Sequence, residues 1–194
     1  MEKFLTELIQ DKSALRKLKI LEILMERNEI TSSTKLAQKL HCTSRTIISD
    51  ISELKLILPK SCDLVSIKSK GYLLKQNALD EFSYIVCHFL LNSELYQILK
   101  SIFNYKYYTL EKWSQLLYVN KLTLNKILRK FDEILSHFEL KFSTCKIKLV
   151  GNELNIRYFF ITFFYNIQNH KIIFNLNSCL QKKLNTLLGD LISK

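Results

Sequence analysis

Apolar residues recur at helical spacing along most of the chain, and the breaks between the runs are short. Phe4, Leu5, Leu8 and Ile9 share one face, which predicts a short amphipathic helix over residues 1–12, with Ser13 as N-cap of the next. In ALRKLKILEILMERN, Leu15, Leu18, Ile20, Leu21, Leu24 and Met25 form a wide stripe opposite Arg16, Lys17, Lys19, Glu22 and Glu26. That is the pattern of a helix with one face in a core. Thr31 and Ser32 are helix-start residues, and STKLAQKLHC reads as two helical turns with Leu36, Ala37 and Leu40 inward. Thr43 caps the following segment, in which Ile47, Ile51 and Leu54 repeat at helical spacing and Ile48 and Leu58 support them.

Two short helices about four residues apart, the second capped and polar in its first turn, predict a helix-turn-helix. Small Ala37 allows close approach, Leu40 and Ile47 pack under the turn, and Ser44, Arg45, Thr46, Ser49 and Asp50 face outward. LVSIKSKGYLLK then alternates in polarity about a Lys70-Gly71 turn, which predicts a β-hairpin, with Lys68 and Lys70 at its tip. A hairpin directly after a helix-turn-helix is a wing.

The series then recurs. Residues 81–103 read as a long apolar helix broken near Asn92-Ser93, Thr109 caps LEKWSQLL, and a turn at residues 118–121 leads into LTLNKILRKFDEILSHF. ELKFSTCKIKLVG, closing at Gly151, is the second hairpin. At an offset of 77, Leu36 meets Trp113, Ala37 meets Ser114, Leu40 meets Leu117, Ile47 meets Leu124, Ile51 meets Leu128 and Leu54 meets Phe131. Each pair keeps apolar or small character, so the chain reads as a tandem duplication. The expected fold is mainly α with small β-hairpin wings. It comprises two tandem winged helix-turn-helix domains, residues 1–77 and 78–152, and a C-terminal helical segment, residues 153–194. In that segment Leu154, Ile156, Phe159, Phe160, Phe163, Phe164 and Ile167 cover most of one helix, too apolar for a lone surface helix. It must pack on the second wing domain, on a further domain or on a second chain. A last amphipathic helix carries Leu180, Leu184, Leu187, Leu188 and Leu191.

Composition narrows the function. The 194 residues include 29 Lys and Arg against 18 Asp and Glu, a net charge of +11, but only 3 Gly and 1 Pro. The positive excess points to a polyanion. The scarcity of glycine speaks against phosphate-binding loops and turn-rich β folds. No run approaches the roughly 18 apolar residues of a membrane span, and the charged N-terminus does not read as a signal peptide. Five scattered cysteines with no C-x₂-C pair fit a reducing, cytoplasmic setting. The four histidines lack metal-ligand spacing, so no metal or cofactor is expected. No Ser/His/Asp or Cys/His set stands out, and adjacent Asp132 and Glu133 cannot both face one substrate, so no enzymatic activity is expected.

The KLAQKLHCTSRTIISDISELK helix-turn-helix, the IKSKGYLL wing and the second helix-turn-helix with its CKIKLVGNELNIRYFF tail together resemble the N-terminal half of the Mga/AtxA-like virulence regulators of Gram-positive bacteria. The resemblance covers about residues 10–170 and is carried by the order of the parts. It implies a sequence-specific, double-stranded DNA-binding transcriptional regulator. Such regulators continue into phosphotransferase-regulated domains and an enzyme-IIB-like module. An end at Lys194 therefore implies a DNA-binding fragment or a short relative. Nothing around His170 resembles a phospho-acceptor site.

On DNA, phosphate contacts supply affinity and base-edge contacts supply sequence. In the first unit Arg45 suits guanine, with a phosphate contact or a pair with Asp50 as alternatives; Thr43, Ser44, Thr46 and Ser49 suit phosphates or bases, and Lys68 and Lys70 suit phosphates. In the second unit Asn125 suits adenine, and Lys121, Thr123, Lys126, Arg129, Lys130, Lys146 and Lys148 form a basic face. A solvated charged face is the plainer alternative there. Tyr105, Tyr107 and Tyr108 read as a packed loop rather than a stacking platform. RNA polymerase, and a second copy of the chain through the C-terminal helices, are further expected partners. Two competitors share parts of the pattern. One is a plasmid replication initiator with paired winged helices; the other is a winged-helix protein-interaction module, which the positive charge disfavours.

Overall fold

Side-chain caps fix where the helices begin. The computed structural model describes residues 7–27, 29–59, 62–75, 78–143 and 145–168. Within them the order is α1 (Lys12–Arg27), α2 (Ser33–Lys39), α3 (Ser44–Ile57), β1 (Asp63–Ile67), β2 (Gly71–Lys75), α4 (Ala78–Leu91), α5 (Glu94–Phe103), α6 (Leu110–Leu117), α7 (Lys121–Ser136), β3 (Lys141–Phe142), β4 (Leu149–Val150) and α8 (Glu153–Gln168). Ser32 accepts from the Lys35 amide at 3.3 Å, Thr43 from Thr46 at 3.2 Å, Thr109 from Lys112 at 3.2 Å and Asn120 from Leu122 at 2.8 Å. Each bond satisfies an amide that the first helical turn leaves open. Ser32 and Thr109 stand 77 residues apart, as do Thr43 and Asn120. His41 (φ +51°) and Tyr118 (φ +54°), also 77 apart, occupy the left-handed region in the two turns.

The core follows the same repeat. Leu36 and Trp113, Ile47 and Leu124, Ile51 and Leu128, and Leu54 and Phe131 are all buried, and Leu40 and Leu117 are half-buried beneath the turns. The break at Asn92-Ser93 is real: Ser93 caps α5 through the Tyr96 amide at 3.3 Å.

Each hairpin is tied to the residue before its helix-turn-helix. In β1–β2 the register runs from Asp63 opposite Lys75 to Ile67 opposite Gly71. Thr31 adds a third partner: its amide and carbonyl each bond Tyr72 at 2.9 Å. Thr31 is buried, and Gly71 (φ +136°) lies so close that a Cβ would come within 2.3 Å of its carbonyl oxygen. Tyr108, 77 residues after Thr31, accepts from the Ile147 amide at 2.8 Å in the second unit. The second hairpin is shorter, with two-residue strands pairing Lys141 with Val150 and Phe142 with Leu149. Asp132 holds β3 against α7 by accepting from the Phe142 amide at 2.8 Å.

Of the three surfaces open to α8, it takes the second unit. Phe159 meets Phe131 and Phe138, Phe163 stacks on Tyr96, and Phe160 and Phe164 meet Phe103. Phe159, Phe160, Phe163 and Ile167 are buried, while Leu154, Tyr158, Ile161 and Tyr165 remain exposed. Leu154 is thus not part of the packed face. The units also meet: the Lys17 ammonium lies 5.9 Å from the ring centroid of Phe89 on α4.

Several sequence expectations change. Asp11, not Ser13, caps α1, its carboxylate accepting from the Ser13 and Ala14 amides at 2.9 and 3.1 Å. Only Glu7 and Leu8 of the first predicted helix are helical among the described residues, and Ile9 and Gln10 already leave it. Ile48 is 52% exposed rather than a core support. Asp50 does not face outward: it is 2% exposed. It accepts from the Nε of Arg16 and, at 3.0 Å, from Nη2, joining α3 to α1. The bonded carboxylate raises the Arg16 guanidinium above its ordinary value. The last amphipathic helix and His170 lie outside the described residues.

Asp50→Ala leaves Arg16 without its buried partner. It should lower unfolding stability by about 2 kcal/mol, less than a fully buried pair because Arg16 is partly solvated. Gly71→Ala, which combines a backbone clash with a disfavoured φ, should cost at least about 2 kcal/mol. Urea denaturation measures both.

Candidate nucleic-acid interface

α3 and α7 are the second helices of the two helix-turn-helix units, and each is followed in the chain by its hairpin. In α3, Leu54, Ile51 and Ile47 turn inward and so leave Arg45, Ile48, Ser49 and Ser52 exposed on the opposite side. In α7, Leu124, Leu128, Phe131 and Leu135 turn inward. Lys121, Leu122, Thr123, Lys126, Arg129 and Lys130 are left exposed, with Asn125 half-buried.

Hydrogen bonding sorts the residues singled out in the sequence. Asp50 is occupied by Arg16, so the alternative of an Arg45–Asp50 pair falls away. Among the described residues Arg45, Lys68, Lys70, Lys126, Arg129, Lys146 and Lys148 enter no salt bridge. All seven are exposed. Exposed, unpaired cations keep their full charge for an anionic partner. Lys121 differs, donating to Glu111 at 2.9 Å, and the ammonium holds that carboxyl below the usual range. Lys130 donates to Gln10 at 3.3 Å, on the flank of α7 that faces the N-terminal segment. Thr43 and Thr46 are engaged in the cap, their hydroxyls 2.9 Å apart. Ser44 is half-buried. Ser49 bonds Glu53 at 3.4 Å; Glu53 also takes the Lys17 ammonium, whose hydrogen bond lowers its pKa.

The first wing and its helix-turn-helix frame an open groove of about 500 Å³, lined by Ser33, Thr34, Ser66, Lys68, Ser69 and Lys70. The helix side supplies hydroxyls and the wing side supplies hydroxyls and two ammonium groups, a lining suited to phosphate oxygens. Lys55 crosses from α3 to the wing by donating to Ser66 at 2.8 Å. Ser33, Thr34 and Lys55 were not singled out in the sequence, although the Ser-Ser-Thr run is visible there. Lys146 and Lys148 flank buried Ile147 on the second hairpin and are exposed. Tyr105 and Tyr107 are exposed, whereas Tyr108 packs edge-on against Trp113 at 5.3 Å.

A capped helix, a left-handed turn, a second capped helix and a hairpin tied back to the residue ahead of the first helix, formed twice, define a tandem winged helix-turn-helix protein. Residues 16–73 match the model of a helix-turn-helix (HTH) domain, and residues 80–164 match that of the Mga helix-turn-helix domain. The second unit is thus similar to the Mga helix-turn-helix domain and the first to a general helix-turn-helix domain, in line with the resemblance in the motifs. A protein of Streptococcus pneumoniae serotype 4 named as a putative trans-acting regulator is 28% identical over 155 residues, covering 79% of this chain and 31% of that protein. The capsule synthesis positive regulators AcpA and AcpB of Bacillus anthracis are 26% and 24% identical, over 75% and 82% of this chain and 30% and 33% of their own lengths. The chain therefore spans about a third of the length of these relatives. Among the described residues no helix is long and apolar enough to cross a membrane.

Replacing Lys68 and Lys70 together by alanine should weaken binding to random-sequence duplex DNA. It should also make the log–log salt dependence shallower by about 1 for each phosphate no longer neutralised. Thermal unfolding of the variant should match the parent.

Proposed function

We propose that this chain is the DNA-binding part of a sequence-specific transcriptional regulator that acts on double-stranded DNA in the bacterial cytoplasm. The observation that carries the proposal is the placement of Arg45, Lys126 and Arg129, exposed and outside any salt bridge, on second helices of helix-turn-helix units whose wings carry the equally exposed Lys68, Lys70, Lys146 and Lys148. In this reading Arg45 reads guanine and Asn125 reads adenine, while the wing lysines and Arg129 hold phosphates. Thr43, Ser44, Thr46, Ser49 and Thr123 add shorter contacts, and Lys121 and Lys130 join by exchanging their present partners for phosphate. Residues 1–77 and 78–152 act as the two reading units, and α8 follows them.

The names of the relatives support a regulatory role, and those of AcpA and AcpB support positive regulation. RNA polymerase is then the partner that activation requires. A second copy of the chain can pair through the exposed Leu154, Tyr158, Ile161 and Tyr165 of α8, which recur on one helical face. The activity is binding, with no chemical step.

Two units on one chain raise each other's effective concentration, so each can be weak alone. Fluorescence anisotropy with a random-sequence duplex should give a log affinity against log salt slope between about −5 and −9, for roughly 6–10 phosphate contacts. Arg45→Ala and Arg129→Ala should each weaken binding. Affinity independent of salt, or both variants binding like the parent, would refute the assignment.

A further inference from the structure

The duplication allows the two reading surfaces to be compared position by position. Arg45 at the start of α3 has as its counterpart, 77 residues on, Leu122 at the start of α7. Ile48, one turn further along α3, has Asn125 as its counterpart. The first helix therefore presents a cation and then an aliphatic group, and the second presents an aliphatic group and then an amide. Neither aliphatic residue supports the core: Ile48 is 52% exposed and Leu122 is 73% exposed. Tyr118, which precedes α7 in the left-handed turn, is 96% exposed. Leaving Leu122 in water is unfavourable, and its neighbours Lys121, Lys126 and Arg129 make the surrounding surface cationic. An apolar partner enclosed by negative charge satisfies both properties. The 5-methyl group of thymine on the floor of a major groove lined by phosphates is such a partner.

We propose that the two helix-turn-helix units read unlike DNA elements: a guanine through Arg45 in the first, and thymine methyl groups through Leu122, followed by adenine through Asn125, in the second. The site on DNA is then composite and non-repeating although the protein is a repeat. This inference rests on the DNA-binding reading above, and Leu122 is its new element, a specificity-determining residue that touches a base without a hydrogen bond. A methyl group buried on binding contributes about fourfold in affinity, so the second unit discriminates by several modest contacts rather than by one strong one.

The test uses the full chain and two random-sequence duplex pools, one made with thymine and one with uracil in its place. Sequencing the fraction bound from the thymine pool should return two different elements at a fixed separation, one containing guanine and the other rich in A·T pairs. The selected duplex remade with uracil in the second element should bind about fourfold more weakly for each thymine methyl that Leu122 covers. Leu122→Ala should bind the two forms equally; because the side chain lies outside the core, the variant should unfold like the parent. Arg45→Ala should keep the thymine preference and lose the guanine. Two identical elements, equal affinity of the parent for thymine and uracil forms, or a uracil penalty that persists in Leu122→Ala would each overturn the proposal. In any of these cases salt-dependent duplex binding would still stand. Failure to bind either pool would instead overturn the DNA-binding reading itself, and this inference with it.

Discussion

The geometry of each unit depends on the backbone pairing between the residue that enters the helix-turn-helix and the returning arm of the hairpin. Thr31 exchanges two hydrogen bonds with Tyr72, and Tyr108 accepts one from Ile147. Without this pairing a two-stranded hairpin would be marginal in water and free to swing on its connection. With it, the first wing is held beside the start of α2, where Ser33 and Thr34 face the groove it forms. The Arg16–Asp50 pair supports the first unit from behind by fixing α3 on α1. In the second unit Ile127 stands at the matching position, half-buried, and the rings of α8 take over the bracing. One architecture is thus held by ionic contact in one copy and by aromatic packing in the other.

Much of this was legible in the sequence because it is local. Caps at Thr43 and Thr109, the helix break at Ser93 and the inward rows of α3 and α7 follow from side-chain chemistry within one or two turns. Their repetition at a single offset identified the tandem unit. Contacts between segments distant along the chain were not legible. Asp50 looks like an outward polar residue from its helical position, and only the approach of Arg16, 34 residues earlier, explains its burial. Periodicity likewise could not show that Lys121 is held by Glu111 while Lys126 and Arg129 remain unpaired. Nor could it separate the buried face of α8 from its exposed one, since apolar residues occupy both.

The left-handed turns carry a related lesson. His41 and Tyr118 adopt a conformation that glycine takes with no steric penalty, yet both positions keep a side chain. The chain accepts a small backbone strain at the same point in each copy. What it retains there is a solvent-exposed ring, almost fully so at Tyr118.

The ring of Phe159 has a mechanical consequence. It touches Phe131, which lies on the inner side of α7, and Phe138 just beyond the end of that helix. α8 cannot slide or roll without dragging these aromatics, and close-packed interiors pass such displacements on rather than absorb them. A displacement of α8 would accordingly be felt at α7, so the C-terminal helix and the second helix of the second unit are mechanically one piece.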